Sequence, residues 1–160
     1  DLETATAKKL TADHLNANPG IPYTWYKNSE NLLVNMLPAN RDALLDSSKD
    51  LPKGPTVSTS DGKVSQNRTY QDLLKNPQDE KNFETLTKSE LYTVGLDGSA
   101  KKFKDSDMFA GASFSPDGNY LLLTTIKKPF SYIVPLNRFP MTTTVYDVNG
   151  NLVKTVILEE

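Results

Sequence analysis

At 160 residues the chain is long enough for one domain with a core, and its 37% hydrophobic content and mean hydropathy of -0.50 describe a polar surface around a modest interior. A formal net charge of -2, from 18 basic and 20 acidic residues, argues against nucleic acid as a partner, and no apolar run approaches a membrane span. Cysteine is absent, which removes disulfides, thiol catalysis and zinc–thiolate sites and leaves export from a bacterial cell, to the periplasm or beyond, compatible with the sequence. The first residue is Asp1, with neither an initiator methionine nor a signal-peptide pattern, as expected of a processed or truncated chain.

In chain order, residues 1–11 (DLETATAKKLT) look like the end of a hairpin, and 14–22 (HLNANPGIP) like a connector. His14 is the single histidine, so any Ser-His-Asp system or histidine metal site would need it; the ordinary reading is a loop or surface residue. Residues 24–36 (TWYKNSENLLVNM) read as two strands around a turn. A long insertion of about 38–88 follows. Its first part, 38–62, is rich in Pro, Ser, Asp and Lys and reads as a flexible loop; Asn67-Arg68-Thr69 matches a glycosylation sequon of the kind that arises by chance. Thr69 with Asp72 suggests a short helix over 70–75, and Asn76 before Pro77, with Asp79 and Glu80 behind them, starts a second helix reaching about Leu86.

The rest is strand-like. Tyr92, Val94 and Leu96 alternate up to Asp97-Gly98, Ser115-Pro116-Asp117-Gly118 is a turn sequence, Leu121–Leu123 is apolar on both faces, and residues 142–148 lead to Asn149-Gly150. Asp97-Gly98 and Asn149-Gly150 fit two-residue hairpin turns. Between the last two strand pairs lies KPFSYIVPLNRFP, residues 128–140, with three prolines, three aromatics and an arginine, too structured in composition for a solvated linker.

These units repeat. Residues 24–36 align without a gap on 113–125, placing Trp25 on Phe114 and Leu32, Leu33 and Val34 on Leu121, Leu122 and Leu123; residues from Glu90 align on those from Thr142, with Leu96 on Val148 and Leu2 as a third copy. The expected fold is therefore all-β: about two four-stranded antiparallel propeller blades with a short helical insertion. Residues 1–21 would end a preceding blade, 22–106 form blade one and 107–160 blade two, whose loop insertion is about 127–141. A β-sandwich of some eight strands is the plainer alternative. Both insertions fall between second and third strands, so they and the 14–22 connector should emerge at one end, with the short turns at the other. Loops on a rigid scaffold carry binding and catalysis; the plainer reading is that they cover a blade edge.

FSPDG before apolar strands, NRTYQDLLKNPQDE, and PFSYIVPLNRFP followed by VYDVNG resemble the N-terminal propeller of prolyl-oligopeptidase-family serine peptidases, most closely the branch with bacterial homologues of the plastid glutamyl endopeptidase; LTADHLNA before the Trp25 strand is similar too. The resemblance implies a propeller that restricts and orients peptide substrates for an α/β-hydrolase domain, and no cofactor or metal. This chain has no G-x-S-x-G elbow, Gly111-Ala-Ser113-Phe-Ser115 coming nearest, so no catalytic residue transfers. Phe130, Tyr132 and Arg138 would lie at a substrate or interdomain contact, with Arg68 and Arg41 as further candidates; Arg138 could grip a peptide carboxylate bidentately, or equally could fix carbonyls of its own loop. A stand-alone propeller-type interaction module is the alternative function, and exposed blade edges would favour self-association in either case.

Overall fold

The computed structural model describes residues 2–12, 14–46, 62 and 70–157. It consists of two four-stranded antiparallel sheets and one short helix. The first sheet orders β1 (Tyr23–Trp25), β2 (Asn31–Met36), β3 (Ser89–Gly95) and β4 (Ala100–Asp107) as a meander; the second orders β5 (Phe109–Phe114), β6 (Tyr120–Ile126), β7 (Met141–Asp147) and β8 (Leu152–Ile157) in the same way. Helix α1 (Pro77–Thr87) lies between β2 and β3.

The repeat read from the sequence is reproduced in register. Trp25 pairs with Leu32 and Tyr23 with Val34; at the aligned positions Phe114 pairs with Leu121 and Ala112 with Leu123. The first turns match as well: Ser29 has φ 57 where Gly118 has φ 80, so the serine occupies the left-handed position that the PDG sequence gives to glycine. At Gly118 there is a second constraint, because a Cβ would stand 2.7 Å from Lys27 Cβ. The other two turns differ from expectation. A two-residue type I′ turn needs positive φ at both central residues, yet only Gly98 (φ 93) and Gly150 (φ 89) have it. Gly98 N donates to Gly95 O and Gly95 N to Ser99 O; Gly150 N donates to Asp147 O and Asp147 N to Asn151 O. Each loop is thus one residue longer than expected, with glycine closing a four-residue turn. The aspartates explain the choice, since Asp97 accepts from Ser99 N at 2.8 Å and Asp147 from Asn149 N at 2.9 Å, bonds that a short side chain makes within a turn.

Alternation decides what each sheet face does. On β2 and β3, Leu33 and Leu91 point to one side while Leu32, Val34 and Val94 point to the other. The Leu33 side packs on Phe109, Leu121 and Leu123 of the second sheet, with the Tyr26 and Phe114 rings tilted against each other at a centroid distance of 4.4 Å. Lys27 Nζ donates to Pro116 O at 2.7 Å, and Lys104 Nζ both donates to Gly150 O at 2.9 Å and sits 3.9 Å above the Tyr146 ring. The Leu32 side is covered instead by Leu10, while Lys8 donates to the carbonyls of Leu96 and Asp97. Residues 2–12 form no strand: Leu2 is fully exposed and the chain turns at Ala5 (φ 49). Their small side chains, Thr4-Ala5-Thr6-Ala7, offer no apolar face to bury.

The expected helix over 70–75 is likewise absent, because Asp72 takes a left-handed φ of 56 and Asn76 begins α1 directly afterwards. The second helix forms as its caps predict. Asn76 Oδ1 accepts from Asp79 N at 2.9 Å, Pro77 holds the first turn, and Asp79 Oδ2 accepts in return from Lys75 N at 2.9 Å.

Two measurements follow from the packing and the turns. Phe139 is 7% exposed within an aromatic cluster, and Phe139→Ala is expected to cost about 3 kcal/mol by leaving a cavity, seen as a lower urea midpoint at unchanged slope. In the PDG turn, hydrogen bonds from Ser115 and from Asn119 hold the Asp117 carboxyl down to about 2. A depressed carboxyl stabilises the folded state above its ordinary value near 3.9 and loses that contribution as pH falls through about 2. An Asp117 carbon resonance titrating with a midpoint near 4 would contradict this turn geometry.

Candidate functional site

The described parts of the elaborate segments meet at one end of the paired sheets. The insertion between β2 and β3 contributes α1; the insertion between β6 and β7 (residues 127–140) wraps against it. Phe83 of α1 stands edge-on to Phe130 at 5.0 Å and to Phe139 at 5.7 Å, and the two loop rings stack at 5.5 Å. Met108, Ile126, Leu74, Leu136 and Met141 close this cluster. The polar contacts follow the same helix face. Lys128 Nζ reaches Glu84 at 2.6 Å, and Tyr132 lies near the charges of Glu80 and Asp79. Glu80, Phe83 and Glu84 are spaced as one side of a helix must be, which lets a single loop engage all three.

The 14–22 connector joins the same end. Asn16, 3% exposed, uses its amide nitrogen to donate to Leu86 O (2.9 Å), Lys88 O (3.0 Å) and Ser89 Oγ (2.9 Å), while its Oδ1 accepts from Asn18 N. Pro19 shares an apolar cleft with Pro135, Leu136 and Asn137 of the second loop. The last carbonyls of α1 lack helical donors, as at every helix C-terminus. Here Leu86 O is satisfied by Asn16, Thr85 O by Arg41 Nε at 3.2 Å and Glu84 O by the Lys88 amide. Arg41 also supplies a cation there, where the last turn of α1 has none of its own. Residues around Leu45 are pinned to the helix by a reciprocal pair: Leu45 N donates to Asn82 Oδ1 at 2.7 Å and Asn82 Nδ2 to Leu45 O at 2.8 Å.

Of the residues singled out from the sequence, the structure brings Phe130 into the aromatic core at 8% exposure, so its ring holds the loop rather than facing a ligand. Tyr132 is exposed, and its hydroxyl is pushed above the ordinary value by desolvation and then by the bond to Glu80 and the charges of Glu80 and Asp79. Arg138 ends a short 3-10 turn (Leu136–Arg138) with its side chain exposed and its backbone N donating to Pro135 O. Arg41 is half-buried beside the C-terminus of α1, in a cleft that Arg138 does not line. Arg68, and the sequon at Asn67, lie outside the described residues. His14 is exposed in the connector.

Several participants went unread in the sequence. Asn16 carried no signal beyond its place in an Asn- and Pro-rich connector. Glu84 and Lys88, paired at 2.8 Å, have the four-residue spacing of a helical ion pair and could have been found that way. Lys128 then joins Glu84 from the other insertion, and these two lysines hold the Glu84 carboxyl below its usual range, Lys128 most strongly. Among the described residues no group of His, Asp or Glu is placed to hold a metal ion, and no helix is long and apolar enough to cross a membrane.

No family model and no solved structure matches the chain. It is 34% identical over 158 residues to the probable glutamyl endopeptidase, chloroplastic, of Oryza sativa subsp. japonica, and 36% identical over 158 residues to the protein of the same description from Arabidopsis thaliana. Each alignment takes in 96% of this chain and 16% of the relative, so the chain is homologous to a segment of these proteins and spans a small part of their length.

Because Asn16 ties the connector to the end of α1, Asn16→Ala leaves two carbonyls and a buried hydroxyl without that donor. The expected cost is about 2 kcal/mol. Hydrogen exchange should locate it, with the amides of residues 86–89 losing protection more than those of β6 and β7; uniform loss across both sheets would contradict the local role.

Proposed function

We propose that this chain is a non-catalytic propeller portion of a serine peptidase, and that its loop-bearing end restricts and orients peptide substrates for an α/β-hydrolase domain elsewhere in the same polypeptide. The observation that carries the reading is the convergence of both insertions and the connector on one end, joined through Phe83, Phe130, Phe139 and Asn16, while every short turn lies at the other. A scaffold so polarised presents one elaborated surface. Homology to a segment of proteins described as glutamyl endopeptidases supports a peptidase context.

The manner of sheet packing favours blades over a sandwich. In a sandwich, two sheets turn equivalent inner faces toward each other. Here the Leu33 side of the first sheet meets the Leu121/Leu123 side of the second, and by the internal repeat Leu33 corresponds to Leu122, not to Leu121 or Leu123. Opposite faces are therefore in contact, head to tail, and Leu122 is left 42% exposed on the side equivalent to the one Leu33 buries. Stacking of this kind continues from sheet to sheet, as it does around a propeller.

Tyr132 and Arg138, both exposed on the second insertion, are the residues proposed to meet substrate or the hydrolase domain. The test uses the full-length parent and peptides differing only in Glu, Pro or Lys before the scissile bond. Arg138→Ala should lower kcat/KM on the acidic peptide roughly tenfold with no change in thermal unfolding. Unchanged kinetics would reject the contact, and a parent that hydrolyses no peptide would reject the peptidase reading and favour an interaction module.

A further inference from the structure

The geometry points to a carboxylate-binding cleft between the two insertions, formed by Arg41, Lys81, Lys88 and Lys128, that takes the acidic side chains of a polypeptide. The cleft has a volume of about 540 Å³ and is the meeting place of three segments: residues 38–42, one side of α1, and the start of the second insertion, with Ser106 of β4 completing it. Its charge runs against that of the whole chain. Four cationic side chains face two carboxylates, Asp42 and Glu84, a formal +2 within a protein of net -2.

The groups are not equivalent. Glu84 is occupied by Lys88 at 2.8 Å and Lys128 at 2.6 Å, which fixes those ammonium groups at the cleft wall. Arg41 is anchored through Nε to Thr85 O, so the planar end of its guanidinium is oriented by the helix before any ligand arrives. A preoriented guanidinium beside lysines is suited to a carboxylate, which it can engage through two parallel N–H···O bonds. Lys81 stands exposed on the same helix, one turn before Thr85, and adds charge without a structural task evident among the described contacts. Tyr132, Arg138 and the apolar cleft at Pro19 line none of this space. The site is therefore separate from the contact proposed above. Because its walls come from both insertions, an acidic residue bound there would also bridge them. Its ligand, a polypeptide, rests on the peptidase reading; its charge and shape do not.

The 160-residue chain itself is titrated, by amide chemical-shift changes, with acetyl-Glu-Glu-Glu-amide, with the matching glutamine tripeptide and with inorganic phosphate. Binding of the glutamate peptide, centred on residues 41, 81, 88, 106 and 128 and weakened by salt, is the expected result. The glutamine peptide should bind at least tenfold more weakly, and Arg41→Gln and Lys81→Gln should each weaken the glutamate peptide severalfold while Lys154→Gln, exposed on β8 away from the cleft, leaves it unchanged. Lys81→Gln guards against misreading a folding defect, since Lys81 is on the solvent side of α1 and Arg41 also caps it. Equal affinity for the two peptides, affinity surviving the Arg41→Gln/Lys81→Gln pair, or phosphate binding alone overturns the proposal. No binding by the chain beside an active full-length parent removes the cleft and spares the peptidase reading; binding beside an inactive parent does the reverse.

Discussion

Phe83 is held edge-on against Phe130 and Phe139, and the architecture of the loop-bearing end depends on that contact. The rings come from insertions in different sheets, separated in sequence by β3 to β6. Long segments without their own core lose conformational entropy when ordered and need buried apolar surface to offset it. Here that surface is shared between the described parts of the two insertions. Together they bury two phenylalanines below a tenth of their exposure and enclose Leu74, Leu136 and Met141. Edge-to-face geometry adds an electrostatic preference of about 1 kcal/mol per pair to the area term, and it specifies orientation as well as proximity.

Once the aromatic contact is made, polar groups complete the junction in a definite order along α1. The C-terminal carbonyls of the helix would be buried without donors, and they receive Asn16 from the connector and Arg41 from the first insertion. The acidic side of the same helix receives Lys128 from the second insertion. One short helix thus serves as the common partner of three segments. That arrangement also concentrates cations in a cleft on a chain whose overall charge is negative, because Lys81 of the helix and Lys88 at its C-cap lie where Arg41 and Lys128 already converge.

The sheets beneath follow a different rule. Their contact is directional, opposite faces meeting, so that each sheet keeps an outer face equivalent to the one its neighbour buries. On the first sheet that outer face is covered by Leu10, with Tyr23 and Trp25 left about half exposed; on the second it leaves Leu122 and Val156 partly open.

Short-range physics made much of this legible in the sequence alone. Alternation placed Leu121 and Leu123 on one face, the PDG and NG sequences marked turns, and Asn76-Pro77 marked the start of α1, since each depends on bonds within a few residues. The insertion points followed from the repeat. Tertiary structure decided the remainder. Thr69 and Asp72 offered a helix start that Asp72 does not take up, and Asp97 and Asp147 chose a longer turn through their own side-chain bonds. Phe130 passed from a suspected contact residue to a core ring because Phe83, more than forty positions earlier, stands opposite it. Asn16 and Lys128 carry no local pattern at all; their partners lie 70 residues away, as with Asn16 and Leu86, or 44, as with Lys128 and Glu84, and only packing brings such distances to hydrogen-bond range.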